Sequence, residues 1–173
     1  MLSDEELVKV WNTASEGDFG AFVRLLILTA QRKGQWYAFT SQLVDHNNRL
    51  IIWPGSVMKA GKPHSIPLTD TILRTIGNHR FDGFKEQTRK AKLLSDSGTI
   101  GWTLHDLRRT TATRMAELGV APHIIERLLA HAMPRIAGTY NRASYLPEMR
   151  EALIAWESRI QTLASATEVS NVR

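Results

Sequence analysis

The chain has 173 residues, of which 43% are hydrophobic, so it can bury the core of one or two domains. It contains no cysteine, which excludes a disulfide framework and a cysteine-based metal site. No apolar run reaches membrane-spanning length and the first residues lack a signal-peptide pattern, so we expect a cytoplasmic protein with no membrane partner. A net charge of +5 and a pI near 9.8 favour a polyanionic partner.

The first part of the chain predicts two helices. Ser3 and Glu6 have the spacing of a capping box, and apolar residues follow them at helical spacing. The glycine and aspartate at 17–18 are expected to break this helix. Residues 19–29 are apolar on almost every side, which predicts a buried helix. Arg32 follows it, at a helix end where the dipole favours a cation.

The next part predicts a hairpin and a short helix. Residues 49–53 and 64–68 have strand composition, and residues 59–62 between them have good turn chemistry. Taken alone, this is a surface hairpin with lysines at its tip. Residues 69–76 predict a helix, whereas residues 78–101 show no clear period. Their basic side chains fit either a solvated helix face or contacts to a DNA backbone: these are Lys85, Arg89, Lys90 and Lys92.

A second amphipathic helix is predicted from Leu104, after a capping box formed by Thr103 and Asp106. Gly119 is expected to end it. His105 and Arg108 are three residues apart and so lie side by side on one flank of the buried stripe, while Arg109 and Thr113 point towards solvent. An ordinary amphipathic helix accounts for this pattern equally well. The stripe that should face the core consists of Leu104, Leu107, Thr111, Met115 and Leu118.

Two further helices are predicted towards the C-terminus. The first begins at Pro122, buries Ile124, Ile125, Leu128 and Leu129, and ends near His131. Tyr140 follows nine residues later. The last helix starts after Pro147 and has an apolar stripe, followed by a polar tail over residues 164–173. That stripe consists of Met149, Leu153, Trp156 and Ile160.

The order His-x-x-Arg, Leu-x-x-His and a tyrosine nine residues later resembles the C-terminal signature of the tyrosine recombinases, the phage integrase family. The runs GWTLHDLRRTTATRMAELGV and TYNRASY are similar to integrases of prophages and genomic islands. The resemblance implies a mainly α fold of the α+β kind, with a small antiparallel sheet of two or three strands. It implies one catalytic domain over residues 1–163 and a disordered tail over 164–173. The N-terminal core-binding domain of full-length members is expected to be absent.

The resemblance also implies a set of site residues. The run LLILTAQRKGQ is similar to the family segment that carries the first catalytic arginine, here Arg32, with Ala30 in place of a glycine and Gln35 in place of an acidic residue. The run MKAGKPHSIPL is similar to the hairpin that carries a catalytic lysine, here Lys59, with Lys62 as the less favoured alternative and a phosphate contact. The remaining catalytic positions implied are His105, Arg108, His131 and Tyr140.

These residue types can together cleave a phosphodiester. Guanidinium groups match phosphate geometry, so Arg32 and Arg108 would clamp the non-bridging oxygens, with His131 as a further donor. Tyr140 would attack, with His105 as its base, and Lys59 would protonate the departing 5′ oxygen. The product is a 3′-phosphotyrosyl link, and neither a metal nor a cofactor is expected. Tyr145 is the less favoured nucleophile, since a packing role before Pro147 accounts for it more simply.

The predicted function is site-specific DNA recombination in phage or genomic-island integration and excision. Double-stranded DNA is the expected partner, with nucleoid association, a homo-tetramer on DNA for a full-length protein and a monomer for this chain. Weak, salt-dependent duplex binding is expected. The predicted DNA contacts are Lys62, Arg89, Lys90 and Arg109. Three alternatives stay open: a non-catalytic helix-turn-helix module, an inactive prophage remnant and a type IB topoisomerase.

Two further expectations complete the sequence interpretation. The stripe of the last helix either packs in cis or is mobile and docks on a neighbouring protomer on DNA, with a permanent core helix as the alternative. No chemistry is assigned to the remaining histidines, because they lack ligand spacing with each other and with paired carboxylates. These are His46, His64, His79 and His123.

Overall fold

The computed structural model describes residues 1–131 and 144–170, with side chains described as far as residue 166. The fold is mainly helical with one three-stranded antiparallel sheet, which confirms the predicted fold class. The helices are α1 Asp4–Thr13, α2 Gly17–Thr29, α3 Lys33–Tyr37, α4 Asp70–Ile76, α5 Glu86–Ser97, α6 Leu104–Glu117, α7 Pro122–Leu128 and α8 Leu146–Ser170. The strands are β1 Val44–Asp45, β2 Leu50–Trp53 and β3 His64–Pro67.

Helices α1 and α2 form the first layer of the core. The predicted capping box is present, with the Ser3 hydroxyl accepting from the Glu6 N–H at 3.1 Å and the Glu6 carboxylate accepting from the Ser3 N–H at 2.8 Å. The predicted break between the two helices is present but lies at 14–16 instead of 17–18, because α1 ends at Thr13 and α2 begins at Gly17. Gly17 has φ +70°, which lets the chain turn sharply, and Asp18 lies in the first turn where the helix dipole favours a carboxylate.

The predicted hairpin is confirmed. Strands β2 and β3 pair antiparallel with Ile51 opposite Ile66 and Trp53 opposite His64, and β1 adds a short third strand beside β2. Ile51 and Trp53 are fully buried while Ile52 between them is exposed, as the alternation of a strand with one covered face requires. The loop between β2 and β3 carries the lysines.

The segment without a readable period, residues 78–101, contains the helix α5. Only Leu93 and Ser97 on this helix are buried, so it lacks the apolar stripe by which amphipathic helices are recognised. The short helix α3 is also absent from the sequence prediction, because its five residues are too few to show a period. Helix α4 begins as predicted, with the Thr69 hydroxyl accepting from the Ile72 N–H at 3.2 Å.

Helices α6 and α7 pack as the sequence predicts, with one exception. The capping box of Thr103 and Asp106 is present, and Gly119 has φ +83° after the helix end. The Thr111 hydroxyl donates to the Ile27 carbonyl at 2.8 Å and ties α6 to α2. Leu118 was expected in the core but is 43% exposed, because it is the cap residue beyond the last turn of α6.

Helix α8 packs in cis against α1, α2, α6, α7 and β3. All four residues of its predicted stripe are buried, and the Trp156 indole N–H donates to the Ile27 carbonyl at 2.9 Å. Polar groups add to this attachment, since Arg150 donates to the Leu68 carbonyl at 2.6 Å and Thr69 bonds to the buried Glu157 carboxylate. The helix therefore packs in cis in this chain, whereas its docking on a neighbouring protomer on DNA stays a prediction.

Helix α8 continues to Ser170, beyond the predicted domain boundary at 163, and residues 171–173 lie outside the described residues. Among the residues that the structure describes, no helix combines the length and the apolar character needed to span a membrane.

Candidate active site

A cavity of about 730 Å³ opens between the start of α3, the loop after β2 and the start of α6. Four of the six predicted catalytic residues line it: Arg32, Lys59, His105 and Arg108. They come from three segments that are far apart in sequence, and the fold brings these four residues together.

Arg108 is the most firmly held of these four residues. Its side chain is only 4% exposed, and its guanidinium donates to the Ala30 carbonyl and to the Leu129 carbonyl, both at 2.5 Å. Burial, and then the neighbouring Arg32 charge, lower the pKa of Arg108 to about 10. It therefore remains a cation at neutral pH, and two backbone carbonyls hold it in place before any anion binds.

Arg32 lies between α2 and α3 and is half-buried. Its backbone N–H donates to the Gln35 side-chain oxygen at 2.9 Å, and the Gln35 amide donates to the Gln31 side-chain oxygen at 2.8 Å. Both glutamines are 1% exposed. Ala30, which occupies the glycine position of the family pattern, has φ +53°, and this left-handed conformation is why a glycine suits it.

His131 adjoins Arg108 at the edge of the cavity. Its Nε2 lies 3.3 Å from an Arg108 guanidinium nitrogen, and its Nδ1 lies 2.7 Å from a Glu126 carboxylate oxygen. A carboxylate only accepts hydrogen bonds, so Nδ1 carries a proton and Nε2 faces the arginine. Glu126 thus orients the ring. Sequence reasoning missed this role because a glutamate is equally common on any solvated helix face.

Lys59 is exposed, in the loop between β2 and β3. The loop leaves β2 through a 3₁₀ turn at Gly55–Val57. Gly55 packs so closely on the Gly61 backbone that a Cβ atom there would clash with the Gly61 carbonyl oxygen. The base of the loop is therefore closed by backbone contacts, while its lysine remains at the cavity rim. Lys62 lies on the same loop and is also exposed, but does not line the cavity.

The predicted DNA contacts differ in their positions. Lys90 lines the cavity, with its ammonium 5.7 Å from the centroid of the Trp102 ring. Arg89 is exposed on α5 outside the cavity lining, and Arg109 is exposed on α6, where it lies 3.4 Å from the Asp106 carboxylate. Lys33 adds a cation that sequence reasoning missed, and it is paired with Glu86 at 2.8 Å on the cavity rim.

His64 is the largest omission of the sequence interpretation. It begins β3, is half-buried, and its Nε2 lies 3.3 Å from the Leu128 carbonyl oxygen. Burial lowers the pKa of His64 to about 4, aided by the nearby cations Arg108 and Arg32, so its ring is neutral at pH 7. One feature of the sequence could have indicated that His64 lies near the site: it begins the strand that follows the loop of Lys59.

Tyr140, the predicted nucleophile, lies outside the described residues. Tyr145 is described, and its ring contacts the His123 ring at 5.2 Å between centroids and lies 5.4 Å from the Arg127 guanidinium. These contacts agree with the packing role that made it the less favoured nucleophile. No cluster of three metal-ligating side chains occurs within residues 1–131 and 144–166.

Comparisons with known proteins point to one family. Residues 78–146 match the sequence profile of the Phage integrase family. The prophage integrase IntZ of Escherichia coli (strain K12) is 30% identical over 157 residues, which are 82% of this chain and 39% of that protein. The integrase of Shigella phage Sf6 is 28% identical over 151 residues, which are 77% of this chain and again 39% of that protein. This chain therefore spans well under half of these relatives.

One solved structure shows the same fold. The integrase from mycobacterium phage Brujita superimposes with a TM-score of 0.69, covering 89% of this chain and 56% of that one. The sequence identity is 16%, so this likeness concerns the fold alone.

Proposed function

Because this chain belongs to the phage integrase family of tyrosine recombinases, we propose that it catalyses strand cleavage and rejoining in site-specific DNA recombination. The observation that carries the proposal is the cavity that gathers Arg32, Lys59, His105 and Arg108, with His131 at 3.3 Å from Arg108. A DNA-binding module without catalysis has no need for two arginines, a lysine and a histidine around one cavity.

Each residue has a role that fits its surroundings. Arg108, fixed and buried, and Arg32 beside it would hold the non-bridging oxygens of the scissile phosphate, where charge develops in the transition state. His131, which Glu126 orients, would donate a further hydrogen bond through Nε2, which requires a proton on that nitrogen and its release from Arg108. His105 is exposed at the cavity and would take the proton of the attacking tyrosine.

The bond changes balance without an added energy source. The oxygen of Tyr140 attacks the phosphorus and its proton passes to His105, while the bond to the 5′ oxygen breaks and Lys59 supplies that oxygen with a proton. The 3′-phosphotyrosyl link keeps the energy of the phosphodiester. A 5′ hydroxyl from a second strand then attacks the link, and the same groups work in reverse.

Double-stranded DNA is the proposed partner, bound mainly through its phosphates. The exposed cations near the cavity support this, because phosphate neutralisation by lysine and arginine dominates affinity for DNA. A titration should show affinity that falls steeply as salt increases, and a salt-insensitive affinity would contradict the proposal. Tetramer formation on DNA belongs to the same proposal and is measurable by sedimentation with attachment-site DNA.

The experiment that tests the function uses a duplex with a nick beside the cleavage position, which traps the covalent intermediate. The protein should form an adduct with the DNA that survives denaturant. Tyr140→Phe removes one hydroxyl and should abolish the adduct while duplex affinity stays within about twofold. Tyr145→Phe is the matched control and should still form the adduct.

Each result has a distinct meaning. Adduct formation by Tyr140→Phe would overturn the assignment of the nucleophile and the mechanism built on it. DNA binding without an adduct in any variant would favour a non-catalytic module or an inactive remnant. Relaxation of supercoiled DNA without strand exchange would favour a topoisomerase.

A further inference from the structure

The end of α7, immediately before His131, is where three parts of the molecule meet. A helix leaves its last four carbonyl groups without partners inside the helix, and these carbonyls must bond to side chains or water. At the end of α7, the Leu128 and Leu129 carbonyls bond to side chains from three other segments. Ala130 then takes a left-handed conformation, with φ +50°, and turns the chain to His131.

The three donors come from different elements. The Gln31 amide, from the link between α2 and α3, donates to the Leu128 carbonyl at 2.7 Å. The Nε2 of His64, from β3, lies 3.3 Å from the same oxygen and must be the donor, since a carbonyl only accepts. Arg108, from α6, donates to the Leu129 carbonyl at 2.5 Å.

Each donor is tied to one of the proposed catalytic groups. Gln31 directly precedes Arg32, and His64 starts the strand that returns from the loop of Lys59. Arg108 is itself a proposed catalytic group, and the acceptor carbonyls lie just before His131 in the chain. Two adjacent peptide carbonyls therefore connect the segments that carry four proposed catalytic groups.

We propose that Gln31 and His64 are positioning residues that assemble the catalytic cavity by sharing the Leu128 carbonyl as their common acceptor. The inference rests on the proposed function, since it assigns them to the placement of Arg32, Lys59 and His131. Neither side chain touches DNA in this role. Gln31 sets the distance between the arginine segment and α7, and His64 sets the distance between the lysine hairpin and α7.

The chemistry of both residues fits one carbonyl oxygen. An oxygen with two lone pairs can accept two donors, and both donors must be uncharged to avoid a further cation beside Arg32 and Arg108. The Gln31 amide is always neutral and is 1% exposed. His64 is neutral at pH 7 because burial and the two arginines depress its pKa. A lysine at either position would add positive charge to a site that already holds two guanidinium groups.

The test distinguishes the effect of the His64 hydrogen bond to the Leu128 carbonyl from the effect of the space that the imidazole ring fills. His64→Phe keeps a ring but removes the donor, whereas His64→Gln places an amide N–H at a similar reach. Gln31→Met removes the other donor while keeping the side-chain length. His46→Phe is the control, because His46 lies on the turn after β1, away from this cavity.

The readouts are the rate of adduct formation on the nicked duplex at saturating protein, and the duplex Kd. His64→Phe and Gln31→Met should each lower the rate by roughly 10- to 100-fold, as expected for groups displaced by up to about an ångström. Kd should stay within about threefold, and His64→Gln should recover most of the rate. A rate for His64→Phe within about twofold of the unaltered protein, or no recovery in His64→Gln, would overturn the proposal.

A second readout does not depend on activity. The amides of Leu129, Ala130 and His131 bond to carbonyls within α7, so their hydrogen exchange reports the order of this turn. Exchange should accelerate in His64→Phe at these amides and much less in α4, while His46→Phe leaves it unchanged. If the unaltered protein forms no adduct, the proposed function fails, and the exchange alone decides this inference. Unchanged protection at all three amides in both His64→Phe and Gln31→Met would overturn it.

Discussion

Arg108 and Lys59 line the same cavity, but the protein holds them in opposite ways. Arg108 is 4% exposed and bonds to two backbone carbonyls, whereas Lys59 is exposed in the loop between β2 and β3. The guanidinium is fixed before a substrate arrives. The ammonium is attached to a flexible side chain on a loop whose base is closed and whose outer part faces solvent.

The difference matches two kinds of catalytic work. Stabilising a developing charge is most effective when the donors are already in place and need no reorganisation. Protonating a leaving group requires a donor that can approach an oxygen as it departs and then withdraw. A buried arginine suits the first task, because it cannot lose its proton at working pH, and an exposed lysine suits the second.

The largest effect is expected when the fixed cation is replaced. Arg108→Lys keeps a positive charge but loses the two-pronged geometry that spans the Ala30 and Leu129 carbonyls, and it removes donors that we propose hold the phosphate. The rate of adduct formation should fall by roughly 10³-fold or more. Thermal unfolding should also shift down, because a buried carbonyl without a partner costs roughly 1–3 kcal/mol.

Arg114→Lys provides the control for this substitution. Arg114 is on the same helix, but it pairs with Asp4 and Glu117 on the side away from the cavity, and a lysine can keep such pairs. Its rate should remain within about twofold of the unaltered protein. Equal losses of the adduct-formation rate in Arg108→Lys and Arg114→Lys would show that α6 is sensitive to any substitution. The proposed catalytic role of Arg108 would then be contradicted.

The next effect concerns the lysine. Lys59→Ala should lower adduct formation by roughly 10²- to 10³-fold and leave thermal stability unchanged, since the side chain is exposed. A duplex whose 5′ leaving oxygen is replaced by sulfur should restore the rate in this variant, because a thiolate with a pKa near about 8.5 leaves without a proton. Lys9→Ala, which removes an exposed lysine on α1, is the control. Failure of the sulfur substrate to rescue Lys59→Ala would exclude the proton-donor role.

The sequence predicts the elements that carry the site residues better than it predicts the contacts of those residues. Arg108 and His131 fall on or beside helices whose caps and stripes are readable, so the elements that carry them follow from Thr103, Asp106 and Pro122. The burial of Arg108 is not readable, because it depends on the Ala30 and Leu129 carbonyls, which are 78 and 21 residues away in sequence. The motif identifies the residue, and the fold supplies the contacts.

The partners of the motif residues are harder to predict than the residues themselves. His64 and Gln31 act through one backbone carbonyl on α7, and backbone acceptors leave no mark in a sequence. Helix α5 escaped prediction for a related reason, since only two of its residues are buried and its exposed face carries no period. Charge patterns alone likewise did not separate Lys90 at the cavity from Arg89 outside it.

A third prediction concerns His64, which begins β3 and bonds to the Leu128 carbonyl at the end of α7. Its pKa is lowered to about 4 in the folded protein and is near 6.5 when unfolded, so the unfolded chain binds more protons between these values. Stability should therefore fall as the pH drops from about 6.5 to about 4, with a contribution from His64 of up to roughly 3 kcal/mol.

Denaturant unfolding of the unaltered protein and of His64→Gln across this range measures the contribution of His64. Glutamine does not titrate, so the stability of His64→Gln should depend less steeply on pH, while carboxylates common to both proteins cancel in the difference. Parallel pH profiles would mean that His64 is already solvated in the folded state and does not connect the two sides of the cavity.

The smallest effect tests whether Gln35 weakens the site. An acidic residue is common at this position in the family, but here the Gln35 amide donates to Gln31, and Gln31 uses its own amide for the Thr29 and Leu128 carbonyls. A glutamate at 35 could still accept from the Arg32 N–H, yet it would place a second acceptor against the Gln31 oxygen. Gln31 could turn its amide around only by releasing both carbonyls. The two glutamines therefore form a matched pair.

Gln35→Glu should consequently lower stability by roughly 1–2 kcal/mol, a fall in Tm of a few degrees, and change the rate of adduct formation by less than about threefold. The deficit should shrink as the pH falls towards about 4, because a protonated carboxyl group can donate to Gln31 as the amide does. Thermal melts of both proteins from about pH 7 to about pH 4 measure this directly. A different result would contradict this interpretation: Gln35→Glu could be as stable as the unaltered protein at neutral pH and form the adduct about tenfold faster. The site would then prefer a carboxylate at position 35, and Gln35 would lower the activity without compensation by Gln31.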